Sequence, residues 1–401
     1  MFRLLKVRSI YFGFTYIVRL MPSVFTILIS LYLANKLSKV NYGHYVYFLT
    51  FGTIVVDVVG KISVQPVLRY ASEYVQNKRY LLSFVISYSL ISSILLCIIF
   101  FPFGLGAVSV YIAGRIFIIN YASYYQSFKK INTFSLILFL ESGLQFLFLI
   151  LMVKYFQFDD VVIYFYLFAA TSFAVFLICI LTSSFLSCKE YLQDLKLMQA
   201  DSEFIRKMFS FGIRISLWFI FSNLLIQGDK FILKWFYSIE DVAQYNIAYM
   251  FYFGGVNLAF VPIISYFHPQ IMTVLGMGSK SEYKKIKNQW IVVVVAVSFG
   301  TFLFMLTGVD RFFYHLIAPK FSYDLLLNIY MAIAGVLWNI AMLCQKPREF
   351  KNELRHMFAF LGVSFIIMVI GTGLVVLFGL SWMFLLPIKI LALLVYIILI
   401  R

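Results

Sequence analysis

The chain has 401 residues, of which 63% are hydrophobic and 12% charged, with a mean hydropathy of +0.93, and this excludes a soluble globular protein. Its formal net charge of +16 would suggest nucleic acid in a soluble chain. Here charge is confined to short segments between apolar runs of about twenty residues, the length that crosses ~30 Å of hydrocarbon, and membrane topology accounts for most of it. The runs do not alternate as the strands of a membrane barrel would, so the class is an all-α polytopic membrane protein.

The basic segment 1–9 leads into an apolar run reaching Ala34, too long for a signal-peptide core and without a small-residue cleavage site. A retained first helix is expected. Spans are predicted over 10–34, 44–68, 80–101, 104–126, 132–154, 161–182, 207–235, 242–267, 289–309, 323–344, 357–378 and 380–400, about twelve in all. At Phe101-Pro102-Phe103-Gly104 one long apolar stretch must turn back on itself, and proline with glycine suits a tight turn. The longest polar segment, 183–206, reads as a cytoplasmic linker between an N-lobe (1–182, helices 1–6) and a C-lobe (207–401, helices 7–12).

Lys and Arg gather in 1–9, 69–79, 129–130, 189–207, 280–287 and 346–355, whereas the intervening loops carry only Lys36, Lys39, Lys154, Lys234, Arg311 and Lys320. This alternation predicts that both termini lie in the cytoplasm. Six helices per lobe make both halves enter in the same direction, a parallel pseudo-repeat with a site expected between the halves. The halves echo each other in sequence. Ser38-Lys39-Val40-Asn41-Tyr42-Gly43-His44-Tyr45 aligns with Ser238-Ile239-Glu240-Asp241-Val242-Ala243-Gln244-Tyr245, and Phe12-Gly13 with Phe211-Gly212.

An ionised side chain at mid-bilayer costs on the order of 2.5–3.5 kcal/mol by insertion scales and marks a functional candidate. The spans hold Arg19, Asp57, Lys61, Arg115, Glu141, Arg214, Asp229, Lys230 and Lys389. Asp57 and Lys61 stand four apart with the acid first, a favourable helix pair or mutual neutralisers lining a cavity. Arg115 and Glu141 lie at nearly equal depth on consecutive antiparallel helices, which points to a structural ion pair. Lys230 sits near the outer end of its helix and is expected to snorkel to the interface. Asp229 is a candidate for binding a coupling ion. Arg19, Arg214 and Lys389 have no evident partner. Arg19 precedes Pro22 by three residues and Lys389 follows Pro387 by two, so each cation stands beside an expected kink, with Pro262 a further kink candidate. A bland alternative is that these cations stitch helices together through backbone carbonyls. A net-cationic cavity would instead take anionic cargo, since guanidinium reads phosphate in bidentate fashion.

Several chemistries are unsupported. There is no nucleotide-binding glycine loop. Cys97, Cys179, Cys188 and Cys344 suggest neither a disulfide framework nor a metal site, and His44, His268, His315 and His356 lack ligand spacing. No cofactor is expected. The outer loops are short, the longest near Asp310–Ser322, and none carries a catalytic carboxylate pair, which argues against an enzyme.

The chain resembles polysaccharide flippases of the multidrug/oligosaccharidyl-lipid/polysaccharide exporter superfamily. The likeness rests on Asn41-Tyr42-Gly43-x-Tyr45 after the first helix, and on Gly228-Asp229-Lys230-Phe231-Ile232-Leu233 followed by Gln244-Tyr245-Asn246-Ile247-Ala248-Tyr249, with Ala243 where such flippases usually have glycine. The resemblance implies alternating-access movement of undecaprenyl-pyrophosphate-linked oligosaccharide units from the cytoplasmic to the outer leaflet of a bacterial inner membrane, for O-antigen or capsular polysaccharide. It also implies partners among membrane lipids and polysaccharide polymerase machinery, and no nucleic acid. On this reading Arg19, Arg214 and Lys389 hold the pyrophosphate. Two rivals stand beside it: a cation or drug exporter of the same superfamily, which needs an acidic cavity, and an O-antigen polymerase or glycosyltransferase, which needs a long outer loop.

Overall fold

The computed structural model describes residues 2–74, 77–156, 160–182, 188–277, 280–351 and 353–401. The 183–187 stretch of the expected linker and the side chain of Pro262 lie outside the described residues. Among the described residues every regular element is helical, and eleven helices are long and apolar enough to cross a membrane. The expected span at 242–267 falls on one helical run made of α10 and α11 (below), joined by a π turn at Tyr249–Gly254. Such a turn inserts a residue into the helical ladder without ending the helix.

The chain divides into two compact units, Met1–Ile29 with Phe48–Ile220, and Ser30–Tyr47 with Phe221–Arg401. The division therefore runs through the first helix, the second and the eighth rather than through 183–206.

The first unit holds most of α1 (Phe2–Lys36) and α2 (Lys39–Tyr70), then α3 (Lys78–Phe100), α4 (Gly106–Ser127), α5 (Ile131–Phe156), α6 (Val161–Thr182), α7 (Cys188–Ala200) and most of α8 (Ser202–Gln227). The turn after α3 is a short 3-10 segment, Phe101–Phe103, closed by Gly104 at φ 73°, a conformation that only glycine adopts cheaply. Its central helix is α4, packed against α3, α5 and α6. The small residues of α4 explain this: a Cβ on Gly114 would stand 3.0 Å from Cβ of Ser172 and 3.3 Å from the Ala169 carbonyl, so glycine lets α4 and α6 approach closely. Below them Val67, Leu81, Phe84, Ile118, Tyr121, Phe204 and Met208 form a buried cluster. Most of the expected polar linker is itself ordered as α7 and the start of α8.

The second unit comprises the short segment 30–47 with α9 (Asp229–Phe236), α10 (Ile239–Ala248), α11 (Gly255–Gly276), α12 (Lys280–Leu306), α13 (Val309–Ile317), α14 (Leu325–Cys344), α15 (Lys346–Phe350), α16 (Leu354–Leu377) and α17 (Leu385–Ile400). Helix α17 packs against both α14 and α16, and Phe260, Trp290 and Leu343 anchor an apolar cluster between α11, α12 and α14. The two aligned sequence segments begin with the same device. The Ser38 hydroxyl accepts from the Asn41 amide at 3.1 Å, and that of Ser238 accepts from the Asp241 amide at 3.0 Å, the side-chain cap that starts a helix. Asp241 returns the bond to Ser238 N, completing a capping box.

Candidate functional site

The candidate site grows from the break after α8. The helix stops at Gln227, and α9 restarts at Asp229, with Gly228 between them. The restart turns Asp229 and Lys230 inward, and both are buried, with 0% and 3% of their surface exposed. Two further elements converge there. Helix α10 contributes the fully buried Tyr245, and α17 contributes Lys389, 1% exposed.

Lys389 Nζ stands 2.5 Å from Asp229 Oδ2, and also donates to the Tyr245 hydroxyl at 2.6 Å and to the Ile226 carbonyl at 2.7 Å. The Tyr245 hydroxyl in turn donates to Asp229 Oδ2. An ammonium has three donors, and here each has its acceptor. This corrects the expectation that Lys389 is an unpartnered cation for substrate: it is saturated, and it ties α17 to the α8–α9 junction. Pro387 likewise lies in the first turn of α17, which begins at Leu385. A first-turn proline forfeits no helical bond, so the last helix has no kink there.

Asp229 is neutralised by Lys389, so it offers no net negative charge to a coupling ion, although its Oδ1 is buried with no hydrogen-bond partner. Lys230 does not snorkel. Its Nζ donates to Gln227 Oε1 at 3.3 Å and lies 4.3 Å from the centroid of the Tyr249 ring, a cation–π contact. The Tyr249 ring is itself stacked on Phe253, with centroids 4.7 Å apart. The cluster of Asp229, Lys230 and Lys389 thus holds one more basic side chain than acidic.

The remaining candidates belong to the first unit. Arg115 Nη1 is paired with Glu141 Oε2, and Glu141 Oε1 accepts from Ser172 at 2.6 Å. Asp57 also acts on Arg115 electrostatically. Lys61 Nζ lies 5.1 Å from the centroid of the Phe219 ring. Arg214 is exposed and turned back on its own helix, donating to Ser210 O at 2.8 Å and Ser210 Oγ at 3.0 Å. Arg19 is half-buried. Neither arginine has an acidic partner among the described residues.

Sequence reasoning missed two buried acids. Asp194 of α7, 4% exposed, accepts from Arg79 Nε and from Ser83 Oγ, both at 3.1 Å. Asp310, fully buried, accepts from the hydroxyls of Tyr252 and Tyr323. Tyr245 was visible as the last residue of the repeated segment but not as a member of the charge cluster.

No family model and no curated relative matches the chain. Solved structures do. A multidrug resistance MATE family transporter of the MOP superfamily, in an inward-facing conformation, superposes with a TM-score of 0.66 at 13% identity over 94% of this chain and 93% of its own. Such a transporter in an outward-facing conformation gives 0.65 at 12% identity, over 95% and 92%. A MOP superfamily transporter from Pyrococcus furiosus Vc1 (DSM3638), whose binding pocket of reverse polarity is described as suggesting a different function, gives 0.59 at 14%, over 95% and 92%. The chain therefore has the all-helical fold seen in these transporter structures.

Proposed function

We propose that the chain is a membrane transporter for an anionic lipid-linked cargo, undecaprenyl-pyrophosphate-linked oligosaccharide units, which it moves from the cytoplasmic to the outer leaflet of a bacterial inner membrane by alternating access. On this reading both termini face the cytoplasm and the product feeds O-antigen or capsule polymerisation. One observation carries the proposal: Arg19 and Arg214, both within membrane-spanning helices, have no acidic partner among the described residues. A guanidinium within a spanning helix and without a carboxylate, half-buried at Arg19 and exposed at Arg214, is matched by a diphosphate, which offers paired oxygens and enough charge for bidentate binding. With Lys389 neutralised, the anion-binding role rests on the two arginines, and Lys230 is a further buried basic residue with no ion pair among the described residues.

The rival is a cation or drug exporter, favoured by the multidrug transporters that share the fold. Proteoliposomes distinguish the two. A fluorescent polyprenyl-pyrophosphate glycan is expected to exchange leaflets in the presence of the protein, and a lipophilic cationic dye is not. A charge-assisted hydrogen bond is worth about 1.5–3 kcal/mol, or roughly 10–100-fold, so Arg19→Ala and Arg214→Ala should each slow glycan exchange by at least tenfold. Arg214→Glu should abolish it. Dye transport without glycan exchange overturns the proposal.

A further inference from the structure

The Asn41-Tyr42-Gly43 motif sits in the hairpin 30–47, made of the end of α1 and the start of α2, whose remaining lengths belong to the first unit. The hairpin itself is fastened within the second unit. Gly43 lies against Ile239, the first residue of α10. A Cβ on Gly43 would overlap the Ile239 carbonyl oxygen and stand 2.9 Å from its Cγ1, so the absence of a side chain is what lets the two helix starts meet. The adjacent Tyr42 is fully buried. Its hydroxyl accepts from Asn246 Nδ2 of α10 at 2.8 Å and is left to give its own hydrogen to Ser30 Oγ, also at 2.8 Å. Its ring meets Phe321 edge-on, with centroids 5.8 Å apart. At the turn of the hairpin, Lys320 Nζ donates to the Leu37 carbonyl at 3.1 Å, and the Asn35 amide donates to the Ile317 carbonyl. The segments that align in sequence, 38–45 and 238–245, are therefore the two that meet in space.

This fastening is polar and lies at a surface, since Ser38, Lys39, Val40 and Lys320 are all exposed. If the hairpin lifts, the Leu37 and Ile317 carbonyls and the Lys320 ammonium exchange a protein partner for water, a trade of small net free energy. A seam of backbone against glycine also leaves no interlocked side chain to withdraw. The bond from α10 has a second consequence. Asn246 follows Tyr245, whose hydroxyl accepts from Lys389 and donates to Asp229. Successive residues of α10 thus join the hairpin to the buried Asp229–Lys389 pair, and a displacement of α10 acts on both.

We propose that the Asn41-Tyr42-Gly43 motif is a releasable clasp. Gly43 is its seat, the Tyr42–Asn246 hydrogen bond is its bolt, and the hairpin 30–47 comes away from the rest of the second unit as one piece. The clasp works whatever the transported cargo is.

The test uses the full chain purified in detergent, with Cys97, Cys179, Cys188 and Cys344 replaced by alanine and one reporter cysteine added. Leu37→Cys places the reporter under the hairpin turn, where the side chain is 1% exposed, and Ala341→Cys places it on α14 at a fully buried position away from the hairpin. Both are labelled with a soluble maleimide. The Leu37 reporter should react at least roughly tenfold faster than the Ala341 reporter, because the hairpin opens without unfolding of the unit. Tyr42→Phe removes both hydroxyl bonds and should speed labelling at Leu37 by roughly tenfold. Gly43→Ala should do so by at least as much, since the seat no longer fits. Gly300→Ala, where a Cβ meets nothing within 4 Å, should leave the rate unchanged. None of these variants should speed labelling at Ala341. Equal rates at the two reporters in the otherwise unaltered chain overturn the proposal, as does a Leu37 rate unmoved by both Tyr42→Phe and Gly43→Ala. Equal acceleration at Ala341 also overturns it, because the motif would then hold the fold as a whole and not a separable hairpin.

Discussion

Lys389 and Asp229, which are 160 positions apart in sequence, meet at 2.5 Å in the interior of the second unit, each no more than 1% exposed. Removing one partner of a buried pair leaves an uncompensated charge and costs ~3–5 kcal/mol, whereas replacing both by apolar groups is often neutral. Lys389→Met or Asp229→Asn alone should therefore sharply lower the yield of folded protein and the unfolding midpoint in detergent. Combining Lys389→Met with Asp229→Leu should restore most of the loss. Tyr245→Phe removes one donor to Asp229 and one acceptor for Lys389, and is expected to cost about 1–3 kcal/mol. If the double variant is no better than the singles, the pair is not what holds α17 to the α8–α9 junction.

Glu141 is held from two sides, by Arg115 on α4 and Ser172 on α6. Glu141→Gln keeps the shape and removes the charge, stranding the Arg115 guanidinium. It should destabilise the protein by several kcal/mol, as a broken buried pair does. Ser172→Ala removes one neutral donor to a charged acceptor and should cost about 1.5–3 kcal/mol. Unfolding midpoints of the two variants, compared with the unaltered chain, check this order. A Ser172→Ala loss as large as that of Glu141→Gln would contradict the central place of the ion pair.

How much of this was legible in the sequence depends on how local each relationship is. The spans, the turn at Phe101–Gly104 and the serine caps follow from composition and nearest neighbours. Arg115 and Glu141 could be matched because a hairpin fixes depth by counting residues from its turn. No such counting links Lys389 to Asp229. Their contact is set by α17 returning to pack beside the α8–α9 junction, so Lys389 read as a lone cation although it is neutral in effect. Pro387 misled in the same way, because a kink was assigned before the start of α17 was known. Asp310 and Asp194 lay in polar segments where solvated carboxylates are the ordinary expectation. Only the inward faces of α13 and α7 reveal that both are buried.

Helix α7 is fastened to α3 chiefly through Asp194, which joins Arg79 and Ser83, with Tyr191 meeting Ser87 at 2.9 Å. Asp194→Ala removes the acceptor that Arg79 and Ser83 share on α3 and should loosen α7 without unfolding the unit. Limited trypsin digestion should then cleave at Lys189 or Lys196 roughly tenfold faster, which corresponds to ~1.4 kcal/mol of local opening. Arg79→Ala should act more weakly, since the Arg79 side chain is 41% exposed and Ser83 still satisfies the carboxylate. Equal cleavage of Asp194→Ala and the unaltered chain would show that α7 is held by its other contacts.

The approach of α8 to α2 in the first unit depends on Gly212, at which a Cβ would stand 2.0 Å from the Ile62 carbonyl oxygen. Backbone cannot yield as a flexible side-chain end can, so Gly212→Ala must push the two helices apart and break the packing beside Phe211, Arg69 and Tyr70. Overpacking of this kind costs ~1–3 kcal/mol or more. Gly362 in α16 supplies the control, because a Cβ there meets nothing within 4 Å. Gly362→Ala should be neutral or stabilise by about 0.5–1 kcal/mol through the better helix propensity of alanine. Comparing the two unfolding midpoints separates a steric requirement for glycine from its general effect on a helix. A Gly212→Ala variant as stable as Gly362→Ala would mean that α2 and α8 do not pack at this separation.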